Sequence, residues 1–252
     1  MGAGSHLPLF VTRQSPIHSL APECKLVAAV VFVFAVVATP REEFWAFAAY
    51  ALIIAALVIV AQIPLRVFLK RLAIELPFVA FAVLLPIVGT GPHTVVLGMS
   101  LSVPGLWGAW NILVKGTLGV AATSILVATT DTRELLQALD RLHVPKAFTA
   151  IASFMVRYAE VIAGELRAMR IARVSRGHDP RWIWQVRAIA ATAGTLFIRS
   201  YERGERVYLA MASRGYGNEV RAATVAAPVS SWVLALAVPT GAAAIAAVAS
   251  WT

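Results

Sequence analysis

Two arginines, each followed by a glycine, stand at the ends of two similar segments. Segment 171–178 (IARVSRGH) returns as 209–216 (LAMASRGY), and the shared triplets are Ser175, Arg176, Gly177 and Ser213, Arg214, Gly215. A glycine readily takes the left-handed conformation that ends an α-helix, and the helix dipole favours a cation in the last turn. A guanidinium binds a carboxylate through two parallel hydrogen bonds. The repeated triplets therefore predict docking to acidic pockets on two related partner subunits.

Each triplet needs a helix to hold it in place. Apolar residues at helical spacing predict amphipathic helices over 147–177 and 180–215, with the acidic residues Glu165 and Glu205 upstream of the two triplets. Arginines interrupt both apolar faces, at Arg157, Arg187 and Arg199. Helices of this kind are expected to lie along a membrane surface rather than to cross the membrane.

The composition is that of a membrane protein. Of the 252 residues 59% are hydrophobic and only 14% are charged, with a mean hydropathy of +0.76. A soluble domain carries about 25% charged residues. The net charge of +9 comes from basic residues placed between apolar runs, as in cytoplasmic segments of membrane proteins, and no nucleic-acid-binding module is present.

Five apolar runs predict five transmembrane helices, at 25–39, 44–63, 72–88, 106–130 and 225–251. The chain then divides into an N-terminal surface segment (1–24), a four-span membrane region (25–130), a cytoplasmic region of amphipathic helices (131–221) and a C-terminal transmembrane helix (222–252). Asp131 or Thr132 is expected to cap the first cytoplasmic helix. The basic segments place the N-terminus in the cytoplasm. Segment 89–105, rich in Gly, Pro and Ser and without Lys or Arg, is expected to be a loop on the outer side. Whether 183–198 dips into the bilayer stays open.

Few other residues indicate chemistry. Glu75 lies within the third span, four residues after Arg71, where an interfacial ion pair is expected; Asn111 and Lys115 share one face of the fourth span. The chain has no P-loop motif for nucleotide and no His or Cys pattern for a metal, and its one cysteine excludes an internal disulfide. The sequence thus predicts no catalytic residue, no metal site and no cofactor.

With these features the chain resembles the T component of energy-coupling factor transporters, including the CbiQ-type members that take up cobalt. Members of that family have several spans and cytoplasmic coupling helices that each end in Ala-Arg-Gly. Here the signature reads Ser-Arg-Gly twice, a small change that leaves the arginine in place. The segment 15–26 (SPIHSLAPECKL) is similar to the entry to the family's first span, and 135–157 is similar to the turn before its first coupling helix.

The resemblance implies an all-α integral membrane protein of about five transmembrane helices with amphipathic cytoplasmic coupling helices, in the bacterial inner membrane. Two ATP-binding-cassette ATPases would dock at the two arginines, and a separate substrate-binding membrane subunit would pack against the spans and coupling helices. Cobalt, nickel and a vitamin all remain open as the substrate. The alternatives are a membrane enzyme acting on a phosphate-bearing lipid and a stand-alone secondary carrier.

Overall fold

The computed structural model describes residues 15–96, 99–177, 186–215 and 228–251. The first fourteen residues of the predicted surface segment and the ends of both repeat copies, His178 and Tyr216, lie outside the described residues. The chain divides into two compact units. The first comprises Met1–Leu142 together with Ala226–Thr252, and the second comprises His143–Val225.

The first unit is a bundle of helices whose bounds follow proline and charge. Pro22 stands in the first turn of its first helix, where a missing N–H costs nothing, and Pro40 and Arg41 follow that helix's end. The described helices of this unit are α1 (Pro22–Ala38), α2 (Phe44–Val60), α3 (Leu65–Leu72), α4 (Leu76–Val88), α5 (Val103–Thr129), α6 (Thr132–Arg141) and α9 (Val229–Ala249). A 3-10 turn, Ala73–Glu75, joins α3 directly to α4.

The segment expected to be an irregular loop, 89–105, holds a short β-hairpin and the start of a helix. Strand β1 (His93–Val96) pairs antiparallel with β2 (Met99–Ser102), and Val96 lies opposite Met99. β-Branched residues such as Thr94 and Val95 favour strands, and this preference prevails over the glycine and proline content on which the loop prediction rested. All the other secondary-structure elements among the described residues are helices, as the sequence predicts.

A core of small and aromatic side chains holds the first unit together. Helix α1 packs against α9 and α5, and α2 packs against α5 and α9. Tyr50 of α2 is fully buried; its hydroxyl pairs with Thr39 Oγ1 at 2.9 Å and donates to the Ala242 carbonyl at 3.2 Å. Large apolar side chains face outward, among them Phe34 and Leu52 at 70% and 72% exposure. Such an apolar exterior is what lipid requires of a membrane protein.

Four described helical segments are long and apolar enough to cross a membrane, judged by length and composition: Leu65–Val88, Val103–Thr129, Lys146–Ser175 and Val229–Ala249. Phe44–Val60 is apolar but shorter. Three of the four segments and Phe44–Val60 match predicted spans. The predicted span at 25–39 is α1, which has only 17 residues. The segment Lys146–Ser175, predicted to lie along the surface, meets the same criteria for a span.

Helix α6 begins with the cap that the sequence predicts. The side chain of Asp131 accepts a hydrogen bond from the Thr132 N–H at 2.8 Å, and the Glu134 carboxylate accepts one from the Asp131 N–H at 3.3 Å. This reciprocal capping box satisfies backbone donors that the first turn of a helix otherwise leaves unpaired.

The second unit consists, in its described part, of two long helices, α7 (Lys146–Ser175, 30 residues) and α8 (Val186–Ala212, 27 residues). On each helix the less exposed side chains recur at spacings of four and three residues, which marks one face. On α7 this covered face comprises Ala150, Phe154, Tyr158, Ile162, Glu165, Met169 and Arg173, and the nearby Thr149, Ala152, Ala163 and Gly164 are also less exposed. On α8 it comprises Ala188, Thr192, Leu196, Ser200, Arg203, Val207 and Met211.

Candidate functional site

The first predicted triplet closes α7 in the way that its residue types require. Ser175 is the last helical residue, and its hydroxyl donates to the Ile171 carbonyl at 3.0 Å. The Arg176 N–H donates to the Arg173 carbonyl at 3.0 Å, which tightens the last turn. Gly177 follows with φ of +78°, in the left-handed region. The expected left-handed helix stop is confirmed at this end.

The second triplet closes α8 with the same backbone hydrogen bonds, although its serine hydroxyl donates to the carbonyl three residues back rather than four. The Ser213 hydroxyl donates to the Ala210 carbonyl at 3.0 Å, and the Arg214 N–H donates to the Met211 carbonyl at 3.1 Å. Gly215 has φ of +76°. The sequence repeat is therefore also a repeat of backbone conformation, and each arginine occupies the same place in its helix end.

Both arginines are available to another molecule. All six residues of the two triplets are exposed, and neither Arg176 nor Arg214 forms an ion pair with another described residue. Each guanidinium stands at the negative end of a helix dipole, which favours its charge, and it presents several donors in one plane. An exposed guanidinium in this position suits a carboxylate on a partner surface.

The upstream acidic residues are not equivalent in the structure. Glu165 of α7 forms an ion pair with Arg203 of α8, and both side chains lie on the covered faces of their helices. Glu205 is exposed and lies on another face of α8. Both residues lie upstream of a triplet, yet the counterpart of Glu165 in the repeat is Arg203, because the copies are 38 residues apart. The equal numbering offset is the signal that would have identified the pair.

The polar residues of the predicted spans occupy separate places. Glu75 is buried beside Gly116 of α5, and its Oε1 atom has no hydrogen-bond partner among the residues that the structure describes. Arg71 donates to the Ser124 carbonyl at 2.8 Å. Lys115 donates to the Val37 carbonyl at 2.8 Å, and the Asn111 Oδ1 atom is buried without a described partner. These contacts join neighbouring helices of the bundle.

Over 15–96, 99–177, 186–215 and 228–251 no group of three or more His, Cys, Asp or Glu residues is placed to hold a metal ion. His18 instead shares a hydrogen bond of 2.7 Å between its Nδ1 atom and the Ser15 hydroxyl. The candidate site is the pair of exposed, arginine-bearing helix ends.

Comparisons with known proteins point to a single family. The profile of the family described as the CbiQ cobalt transport protein matches residues 13–224. The chain is similar to the energy-coupling factor transporter transmembrane protein EcfT of Thermanaerovibrio acidaminovorans, with 28% identity over 221 residues that cover 82% of this chain and 81% of the relative. It is likewise similar to the cobalt transport protein CbiQ of Rhodobacter capsulatus, with 28% identity over 188 residues, 74% of this chain and 75% of that protein.

A longer relative contains a related region. The chain is 28% identical over 214 residues to the fused cobalt transport protein CbiMQ of Methanocorpusculum labreanum, and the match covers 82% of this chain but only 36% of the fused protein. The chain thus spans about a third of that relative and most of the length of the other two. Since the family profile covers most of the sequence and the helices are long and apolar, the chain belongs to the CbiQ family of cobalt transport proteins, as a membrane component.

Proposed function

We propose that this chain is the transmembrane coupling subunit of an ATP-driven importer of the energy-coupling factor type. Two ATP-binding-cassette ATPases dock at the helix ends formed by Ser175, Arg176, Gly177 and by Ser213, Arg214, Gly215. ATP hydrolysis takes place on those separate subunits, and this chain supplies no catalytic residue. The observation that carries the proposal is the pair of exposed arginines, each followed by a left-handed glycine at the end of its helix.

The number of partners follows from the repeat. Two ends with the same backbone hydrogen bonds and the same left-handed glycine present the same recognition element twice. Two equal or closely related subunits are the partners that such a repeat suits, because each needs an acidic pocket of the same shape. The motion of the ATPases then passes along α7 and α8, which are long enough to act as rigid levers.

A substrate-binding membrane subunit is the third proposed partner. Helices α7 and α8 expose large apolar side chains along most of their length, including Phe148 and Met155 on α7 and Phe197 on α8, at 67%, 68% and 72% exposure. Apolar surface of this extent is suited to lipid and to a second membrane protein. The substrate is a cobalt or nickel ion or a vitamin, and its identity is decided by that other subunit.

The proposed location is the bacterial inner membrane, with α7, α8 and both arginines on the cytoplasmic side, where the ATPases bind. A membrane-impermeant maleimide tests this orientation in a Cys24→Ala background, because Cys24 is the only cysteine. In intact spheroplasts Thr90→Cys, next to the hairpin, is expected to react, whereas Ala172→Cys is expected to react only after permeabilisation. Reaction of Ala172→Cys in intact spheroplasts contradicts the proposed topology.

Charge reversal at the arginines tests the coupling role. Arg176→Glu and Arg214→Glu are each expected to remove one of two ATPase subunits from the tagged complex purified from the native host, and the double variant is expected to remove both. Uptake of radiolabelled cobalt, nickel or vitamin falls accordingly. Matched controls are Arg170→Glu and Arg206→Glu, which reverse exposed arginines upstream on the same two helices. Unchanged ATPase content and uptake in the double variant refute the proposal.

A further inference from the structure

One ion pair joins the two helices that end in the arginines. The Glu165 carboxylate of α7 accepts a hydrogen bond from Nη2 of Arg203 on α8, and the two side chains are 23% and 28% exposed. A pair in this partly covered setting is less screened by water than a surface pair. It therefore fixes one point of contact between α7 and α8.

This contact joins equivalent positions of the repeat. Glu165 and Arg203 are 38 residues apart, and the same offset relates Arg176 to Arg214. Each partner of the ion pair consequently lies 11 residues before the arginine at the end of its own helix. Eleven residues correspond to roughly 16 Å of α-helix. The two arginine ends thus extend by equal lengths from this ion pair.

The burial pattern supports the same correspondence. Each of the seven covered positions of α8 has a covered counterpart on α7 at the offset of 38, and Glu165 and Arg203 are the oppositely charged pair among them. Two atoms of the pair, Glu165 Oε2 and Arg203 Nη1, are buried without another partner among the described residues. Loss of either side chain therefore leaves the opposite charge partly buried and without its ionic partner, a costly arrangement.

We propose that the Glu165–Arg203 ion pair is the positioning contact of the coupling helices, which sets the separation of the two arginine ends. The consequence of this inference rests on the proposed function: the two ATPases move helix ends that are held at one fixed spacing. Neither residue contacts the ATPases in this scheme. Each acts through the helix that carries Arg176 or Arg214.

The test measures the spacing directly. Spin labels are attached at Ala172→Cys and Ala210→Cys, two exposed and equivalent positions near the helix ends, in full-length Cys24→Ala protein in lipid nanodiscs. Double electron–electron resonance is expected to give one narrow distance distribution. Glu165→Gln and Arg203→Gln are each expected to broaden it roughly twofold, because the fixed contact is lost. The exchange Glu165→Arg with Arg203→Glu is expected to restore the narrow distribution.

The matched control is Glu205→Gln, which removes an exposed charge two residues from Arg203 and should leave the distribution unchanged. A narrow, unshifted distribution in both Glu165→Gln and Arg203→Gln overturns the inference. Equal broadening in Glu205→Gln overturns it as well, since loss of any nearby charge would then broaden the distribution. The inference is also overturned if the variant Glu165→Arg with Arg203→Glu folds but keeps a broad distance distribution.

A functional measurement separates this inference from the proposed function. In the complete transporter, Glu165→Gln is expected to retain both ATPases but to lower uptake per ATP hydrolysed by roughly tenfold. Full uptake per ATP in a variant with a broadened distribution refutes the positioning role. If the Arg176→Glu and Arg214→Glu variants keep their ATPases while Glu165→Gln still broadens the distribution, the docking proposal fails and the ion pair still sets the spacing.

Discussion

The carboxylate of Glu23, in the first turn of α1, accepts two hydrogen bonds from Nη1 of Arg141, in the last turn of α6, at 3.2 and 3.0 Å. Glu23 is only 3% exposed. Two residues later Lys25 donates to the Thr129 carbonyl at the end of α5, at 2.8 Å. The first turn of α1 thus holds the ends of both α5 and α6, immediately before the chain enters its second unit.

Removal of Arg141 is expected to destabilise the first unit. Arg141→Met leaves the buried Glu23 carboxylate without its cation, and the free energy of unfolding should fall by about 2 kcal/mol. The thermal transition of the purified protein in detergent should then drop by several degrees. The double variant Glu23→Gln with Arg141→Met should lose less free energy of unfolding than Arg141→Met alone, because no unpaired charge is left behind.

Arg133→Met is the control, since Arg133 is exposed on the same helix. Its free energy of unfolding should stay within about 0.5 kcal/mol of that of the parent protein. Equal transitions for Arg141→Met and Arg133→Met would show that the Glu23–Arg141 contact contributes nothing measurable.

A second prediction concerns the close approach of Glu75 to α5. A Cβ atom added at Gly116 would lie 2.5 Å from Glu75 Oε1, closer than real contacts allow. Because Glu75 is 4% exposed, its carboxylate has little room to withdraw. Gly116→Ala should therefore lower the free energy of unfolding by about 1–3 kcal/mol, measured as a lower thermal transition in detergent.

Gly119, on the same helix, provides the comparison, because a Cβ atom added there would meet no atom within 4 Å. Gly119→Ala should be neutral or should stabilise the protein by about 0.5–1 kcal/mol through a less flexible unfolded chain. Glu75→Ala introduced together with Gly116→Ala should recover part of the loss. Indistinguishable transitions for Gly116→Ala and Gly119→Ala would contradict the contact.

Local features of the fold could be predicted from the sequence, and distant contacts could not. The cap at Asp131 and the left-handed glycines Gly177 and Gly215 depend on residues within a few positions, so residue type alone predicts them. Most of the long apolar helices follow from hydropathy in the same way. The partners of Glu23 and Glu165 lie 118 and 38 residues away, and only the packing of helices brings them together.

The β-hairpin and the span count show two further limits. Glycine and proline marked the region after α4 as a turn, but the pairing of two four-residue strands depends on a register that composition does not specify. For α7, the charge of Arg157 suggested a surface helix, whereas an 18-residue stretch of this helix reaches the mean hydropathy of a span. The membrane topology of this helix is set by what surrounds it, which periodicity alone does not report.

The last prediction concerns the helix stop at Gly177. Its φ of +78° lies in a region that a Cβ disfavours, while no atom lies within 4 Å of the place where a Cβ would stand. The cost of Gly177→Ala therefore comes from the backbone alone and should be about 1 kcal/mol. That cost falls on the last turn of α7, where the N–H groups of Arg176 and Gly177 donate to Arg173 and Val174 at 3.0 Å. Hydrogen exchange of these two amides should accelerate roughly fivefold.

Gly194→Ala is the matched control, because Gly194 lies inside α8 with no positive φ and with open space around its Cβ position. Since alanine favours a helix more than glycine does, Gly194→Ala should slow hydrogen exchange of the neighbouring amides or leave it unchanged. Gly177→Asn should accelerate exchange less than Gly177→Ala, since asparagine tolerates the left-handed region better than alanine. Because the left-handed residue places Arg176 at the helix end, the same order should appear in ATPase retention by the tagged complex. Faster exchange in Gly194→Ala than in Gly177→Ala would mean that the backbone conformation of Gly177 does not hold this end of α7 in place.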